Sequence, residues 1–287
     1  MGVNLMKMKK LIKAISIVSI IGVIGTSCVG CGGTQKAATD EGKNTKTEIK
    51  TLDKDEIVVG LDDTFVPMGF KDENGELVGF DIDLAKEVTA KLGKKIKFQA
   101  IDWSMKETEL NNGNIDLIWN GYSISDERKE KVDFSKAYLN NRQIIVTLAS
   151  SDINKKADLE GKKVGAQNQS TAVDAVKADE SNIIEKFDGA DLVTFENNND
   201  ALMDLEAGRL DAIVVDEILA RYYIEARGAE KYKVLDEDFG EEQYGVGIRK
   251  GDTEFVDAFN KALDEVIAEG KAGEISNKWF GEDIIVK

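Results

Sequence analysis

From residue 56 onward the chain alternates between two hydrophobic rhythms. Short apolar runs bounded by glycine or charged residues have the length and composition of buried strands in a parallel sheet. They are Ile57 to Leu61, Ile96 to Ala100, Ile115 to Trp119 and Lys162 to Ala166, with a further run ending in Val214 and Val215. Between them lie stretches with one apolar face. Leu84, Ala85, Val88 and Leu92 predict a helix over 81–92, with Asp81 and Asp83 suited to its start and Gly93 to its stop. A second helix runs from about Met105 to Gly113, and a third starts at Ala172. Asp252 suits the cap of a helix reaching Glu269, with Phe255, Val256, Phe259, Leu263, Val266 and Ile267 as its buried stripe and Gly270 as its stop. Strands alternating with helices predict an α/β fold with mostly parallel sheets.

The pattern repeats. Leu110-Asn-Asn-Gly113-Asn-Ile115-Asp116-Leu-Ile118 is echoed by Leu205-Glu-Ala-Gly208-Arg-Leu210-Asp211-Ala-Ile213, and Gly93-Lys-Lys-Ile96 by Gly161-Lys-Lys-Val164. Both long segments run helix end, glycine, strand, which points to two similar lobes.

The first 31 residues break this rhythm. Lys7, Lys9 and Lys10 form a basic start, and Leu11 to Gly25 is an apolar run interrupted by Lys13. The run is short for a membrane span and matches the hydrophobic region of a secretion signal. Residues 32–54 are polar and without apolar period, which predicts a flexible tether; about 20 such residues reach roughly 25 Å. The formal charge is −16, and loss of the four lysines before Cys31 would deepen it to −20. Such a surface repels phosphate backbones, so nucleic acid is not expected as a partner. Histidine is absent, which removes Ser-His-Asp and Cys-His catalysis and histidine metal ligands together. Cys28 and Cys31 are the only cysteines, so a structural zinc site would lack its remaining ligands. No cofactor and no metal are expected.

The candidate chemistry lies at strand ends. After the run Ile115 to Trp119 the chain turns polar through Asn120, Gly121, Tyr122 and Ser123, and Ser125 can cap a helix whose first turn holds Asp126, Glu127 and Arg128. In open α/β sheets ligands bind beyond the carboxyl ends of the strands. An arginine near a helix N-terminus is unfavourably placed for the helix dipole, so an anion is sought for Arg128, unless it only pairs with Glu127, Glu130 or Asp133. Ser170 and Thr171 open the helix of the second half, where hydroxyls and free N–H groups suit a carboxylate or an ordinary cap. Asp216 ends the second-lobe strand. Gly245-Val-Gly247 is no dinucleotide fingerprint, because Lys250 stands where the third glycine belongs, and no GxxxxGK[ST] loop occurs.

Several motifs in order resemble the amino-acid-binding members of the bacterial solute-binding proteins of ABC importers. They are Gly60-Leu-Asp-Asp-Thr-Phe65, Gly79-Phe-Asp-Ile-Asp-Leu84, Ser123-Ile-Ser-Asp-Glu-Arg128, Gly161-Lys-Lys-Val-Gly165, Val215-Asp216-Glu217 and Lys278-Trp-Phe280. The resemblance implies a two-lobed type II periplasmic-binding-protein-like fold, each lobe a mostly parallel sheet flanked by helices. The first lobe would comprise 55–142 and 246–287, the second 143–245, with crossovers near Asn141 to Val146 and Glu241 to Val246. It implies a polar or cationic L-amino acid of the arginine, glutamine, cystine or histidine class held in the interlobe cleft. Arg128, Ser123, Gly121 and Ser170 or Thr171 would take the α-carboxylate, and Asp216 the α-ammonium. Asp62, Phe65, Trp103 and Asn120 would face the ligand side chain, although Phe65 and Trp103 also suit a core. Asn120 and Trp119 depart from the small or serine residues often found there, and Gln169 from a common glycine. SCVGCGG is similar to a lipobox, which implies lipidation at Cys31, or alternatively Cys28, and a monomer anchored on the extracytoplasmic membrane face beside its permease. Some secreted dehydratases share the fold, and in such an enzyme Asp216 or Glu217 would serve as acid or base.

Overall fold

The computed structural model describes residues 50–287. The signal segment, Cys28, Cys31 and the first eighteen tether positions, 32–49, lie outside the described residues. The end of the expected tether is docked. Thr51–Asp53 forms a 3-10 turn in which the buried Thr51 donates its N–H to Asp252 Oδ2 at 3.0 Å.

In chain order the first half comprises β1 (Glu56–Leu61), β2 (Thr64–Phe65), β3 (Gly69–Lys71), β4 (Leu77–Val78), α1 (Phe80–Lys91), β5 (Lys95–Ala100), α2 (Lys106–Asn112), β6 (Leu117–Ile118), α3 (Asp126–Lys131), β7 (Val132–Phe134) and β8 (Leu139–Leu148). The second half continues with β9 (Val164–Gln167), α4 (Thr171–Lys177), β10 (Val193–Phe195), α5 (Asn198–Glu206), β11 (Ala212–Asp216), α6 (Glu217–Arg227), β12 (Tyr232–Tyr244), β13 (Gly247–Arg249), α7 (Thr253–Ala268) and α8 (Lys271–Phe280).

Two five-stranded sheets result, in the orders β5-β1-β6-β13-β7 and β10-β9-β11-β8-β12. In each, three parallel strands continue into an antiparallel one, β13 or β8. A small sheet, β2-β3-β4, follows β1. The lobes are joined by two crossover segments. Near the junction Leu139 to Arg142 of β8 pairs with Glu241 to Tyr244 of β12, and Ser123 of the first lobe bridges to Tyr244.

The sequence repeat has a structural counterpart. Gly113 and Gly208 both take positive φ, at 80° and 69°. Asp116 N–H donates to Val58 O and its carboxylate accepts from Val58 N–H; Asp211 makes the same pair of bonds with Lys163. A Cβ at Gly60 would run into Ile115, and one at Gly165 into Leu210. In each lobe the first strand thus lacks a side chain where the strand-entry residue of its neighbour crosses it.

Two local expectations are corrected. The run Ile115 to Trp119 is buried throughout, but its paired strand is only Leu117–Ile118, flanked by single ladder bonds at Asp116 and Trp119. Asp252 occupies the cap position of α7 without capping it, because its carboxylate is taken by Thr51. The α7 stripe packs as its periodicity demands, with Phe255, Phe259, Leu263 and Val266 in the first-lobe core and Val256 and Ile267 half-buried. Among the described residues no helix is long and apolar enough to cross a membrane.

Candidate functional site between the lobes

The carboxyl ends of β1, β6, β9 and β11 present Asp62, Asn120, Gln167 and Asp216. All four are buried, and the lobes touch across them. Gln167 Nε2 donates to Asp62 Oδ2 at 3.0 Å, Thr171 Oγ1 donates to Ser123 Oγ at 3.2 Å, and Lys106 Nζ reaches Gln169 O at 3.2 Å.

Arg128 is set by the cap that the sequence predicts: Ser125 Oγ accepts its backbone N–H at 3.2 Å. Its side chain is only 5% exposed. Nη1 donates to Ser123 O at 2.9 Å, Nη2 to Gln169 O at 3.4 Å, and the guanidinium lies 4.4 Å over the Tyr122 ring. The acids that might have neutralised it are engaged elsewhere or distant. Glu127 pairs with Lys131 and Asp133 with Lys250, and among the described residues no carboxylate lies within 4.0 Å of Arg128. A buried guanidinium held by carbonyls alone is short of a counter-charge.

Opposite it stands Asp216, 5% exposed. Its Oδ1 accepts from Asn141 Nδ2 at 2.6 Å, Tyr244 Oη at 2.7 Å and Gln143 Nε2 at 3.2 Å. Every donor is neutral. Burial, with the nearby charge of Glu242 second, pushes the Asp216 carboxyl up to about 8. Thr171 links the two poles, since it accepts from Gln143 Nε2 at 3.2 Å and donates to Ser123. Ser170 does not join them; its hydroxyl donates to Gln167 O at 2.8 Å within its own turn.

The remaining sequence-predicted residues fall into two groups. Asp62 accepts from Thr64 N–H and Oγ1 as well as Gln167, and burial raises its pKa above the usual carboxylate range. Asn120 accepts the Asp62 N–H at 3.1 Å, while its Nδ2 is buried without a partner. Gly121 takes φ 58° and donates to the buried Asp81 at 2.7 Å. A Cβ there would lie 2.8 Å from Phe65 Cε1 and 3.2 Å from the Tyr244 ring, so Phe65 packs directly on it. Trp103 is placed apart from these. It meets the Tyr122 ring edge-on at 5.8 Å within a cluster of Leu110, Ile115, Ile118 and Val132.

Sequence reasoning missed Lys106, Asn141, Gln143, Tyr244 and Glu242. Lys106 is 2% exposed and lies beneath Trp103, and burial, then the charge of Arg128, lowers its pKa to about 8. Gln169, at φ 54°, turns its carbonyl towards both cations. Asn141 and Gln143 are two apart on β8, and Glu242 and Tyr244 two apart on β12, so the period of a strand was the available signal.

The sequence profile of the bacterial extracellular solute-binding proteins, family 3, matches residues 57–282, and the chain belongs to that family. It is 31% identical over 251 residues to the L-cystine-binding protein TcyJ of Escherichia coli, covering 87% of this chain and 90% of that protein. It is 32% identical over 281 residues to the ABC transporter glutamine-binding protein GlnH of Bacillus subtilis, covering 96% and 99%. Among solved structures, an ABC uptake transporter substrate-binding protein from Streptococcus pneumoniae with bound histidine superposes with a TM-score of 0.80 at 43% identity, covering 82% of this chain and 96% of that one. The architecture is the two-lobed type II periplasmic-binding-protein-like fold.

Proposed function

We infer that the protein captures a polar or cationic L-amino acid between its lobes and delivers it to the permease of an ABC importer. The observation that carries this reading is the buried Arg128 guanidinium, facing a buried acid, where among the described residues neither has a partner of opposite charge within 4.0 Å. A zwitterion supplies both missing charges, and a bidentate carboxylate suits the fork of an arginine. In this reading Arg128, Ser123 and Thr171 hold the α-carboxylate and Asp216 the α-ammonium, while Gly121, whose N–H is held by Asp81, shapes the turn and lets the Phe65 ring approach. Asp62, Phe65 and Asn120 border the side chain, Trp103 packs apart from them on Tyr122, and Ser170 supports the turn rather than the ligand. Among the described residues Asp62 is an acid without a cation of its own, which favours arginine, histidine or an amide-bearing side chain. The relatives named above are ligand-binding components by name, which supports capture and release without turnover.

The first lobe is assigned 55–142 and 246–287 and the second 143–245. Cys31, or alternatively Cys28, would carry a lipid that anchors the monomer outside the membrane. A thermal-shift panel of the twenty amino acids with cystine and ornithine tests the binding reading. A true ligand at 100 times its dissociation constant stabilises the native state by roughly 2.7 kcal/mol. A strong response from one or a few polar amino acids, recovered chemically unchanged, is the expected result. A silent panel, or conversion of the responding compound, contradicts the reading.

A further inference from the structure

We propose that Glu242 is the second acid of the cation pocket, and that the Asp216–Glu242 pair holds one proton which the ligand's ammonium group displaces. The proposal rests on the amino-acid reading of the cleft and adds to it a residue and a proton.

Strand register brings the pair together. Glu242 of β12 is directly opposite Asn141 of β8, and Asp216 of β11 directly opposite Gln143 of the same strand. Asn141 and Gln143 are two apart and share a face, so their amides lie between the two acids. Asn141 Nδ2 is 2.6 Å from Asp216 Oδ1 and 2.7 Å from Glu242 Oε1; Gln143 Nε2 is 3.2 Å and 2.9 Å from the same two oxygens. Ser123 Oγ completes the Glu242 side at 2.6 Å, and Tyr244 Oη the Asp216 side at 2.7 Å.

All of these donors are neutral. The charged groups around the pair are Arg128 from α3, which lies behind Ser123, and Arg142 on the opposite face of β8, which is bound to Glu217 and Asp238. Among the described residues no lysine or arginine nitrogen comes within 4.0 Å of either acid. Two carboxylates bridged by the same two amides, with no cation beside them, favour a state that keeps one proton. Burial acts on Asp216 in the same direction.

A primary ammonium brings one positive charge and three N–H donors. When it enters, the protonated carboxyl loses its proton to solvent, the pair becomes doubly anionic, and charge balances with one proton released per ligand bound. Affinity then rises with pH between 6 and about 8, by roughly tenfold per unit at most.

The test uses L-arginine and L-glutamine, whose side chains do not titrate in that range. Calorimetry at pH 7 in buffers of different ionisation heat counts the protons. Wild type is expected to release close to one. Glu242→Gln, which gives Asp216 an amide neighbour in place of a charge but leaves it buried, is expected to release measurably less and to bind with a shallower pH dependence. Equal proton release in the two proteins, or none in wild type, overturns the proposal. Carboxyl carbon NMR of the protein without added amino acid decides separately. It should show one carboxyl still protonated at pH 7 that is lost in Asp216→Asn and titrates lower in Glu242→Gln. If neither amino acid binds, the amino-acid reading suffers while this spectrum still decides the pair; its absence overturns the pair as well.

Discussion

Arg128 and Gly121 show how much of the site depends on single residues. Arg128 is buried by the turn that Ser125 caps, and both terminal nitrogens meet carbonyls, so no other anion in the described chain quenches it. Gly121 is required twice over, by its φ of 58° and by the rings of Phe65 and Tyr244 against its Cα. A side chain there faces a left-handed backbone costing about 1–2 kcal/mol and must also move an aromatic ring. Gly121→Ala is therefore expected to lower stability by about 1–3 kcal/mol in a denaturant titration and to weaken binding through displaced Phe65. An unchanged melting midpoint with unchanged affinity would show that the loop relaxes freely. Arg128 stood out in the sequence because a basic residue opposes the helix dipole. Glu242 did not, since nothing in its own stretch marks it; the register with β8 brings the half-buried Glu242 to the amides of Asn141 and Gln143.

At the scale of elements the sequence was most legible where periodicity and punctuation coincided. The α1 stripe, the Gly93 and Gly113 stops and the α7 stripe all follow from it. It was least legible where a long-range partner reassigned a side chain. Asp252 looked like a cap and bonds Thr51, and Asp81, in the first turn of α1 as expected, also holds the Gly121 N–H. The crossover amides Asn141 and Gln143 serve acids 73 to 101 residues away, a relation that no local window contains. The repeat offers a matched comparison. Asp116 bonds Val58 N–H and also pairs with Lys54 and the buried Arg249, whereas Asp211 bonds Lys163 N–H at a more exposed strand entry. Asp116→Ala is expected to cost about 3–5 kcal/mol, because it strands the Arg249 charge. Asp211→Ala should cost about 1 kcal/mol, the worth of a hydrogen bond. Equal losses in urea unfolding would mean that Arg249 finds other partners.

For the whole molecule, burial of acids without cations sets a pH dependence. Burial raises Asp81 to about 7 and Asp216 to about 8, and shifts Asp62 in the same direction. A raised carboxyl contributes stability that is fully present below its unfolded value near 3.8 and is lost as pH rises through its folded value. Carboxylates lowered by partners, such as Glu217 beside Arg142, lose their contribution only as pH falls below the usual carboxylate range. Lys106, lowered to about 8, carries a burial penalty that is relieved only above that pH. Between pH 5 and 8 the raised acids decide, so the melting temperature without ligand should fall across that window. Asp216→Asn should flatten the fall. A melting temperature that rises over the same range would contradict the assignment of these acids.

In the proposed mode of capture the lobes close on a zwitterion whose carboxylate neutralises Arg128. The most direct test of this mode is calorimetry of wild type and Arg128→Ala with the amino acid that responds best in the thermal panel and with the corresponding decarboxylated amine. Deleting the guanidinium or the ligand carboxylate should each cost about 2–5 kcal/mol, and deleting both should cost little more than one, since the same pair is removed. If the amine binds wild type as tightly as its parent, or Arg128→Ala keeps wild-type affinity, the cleft does not hold its ligand in this way.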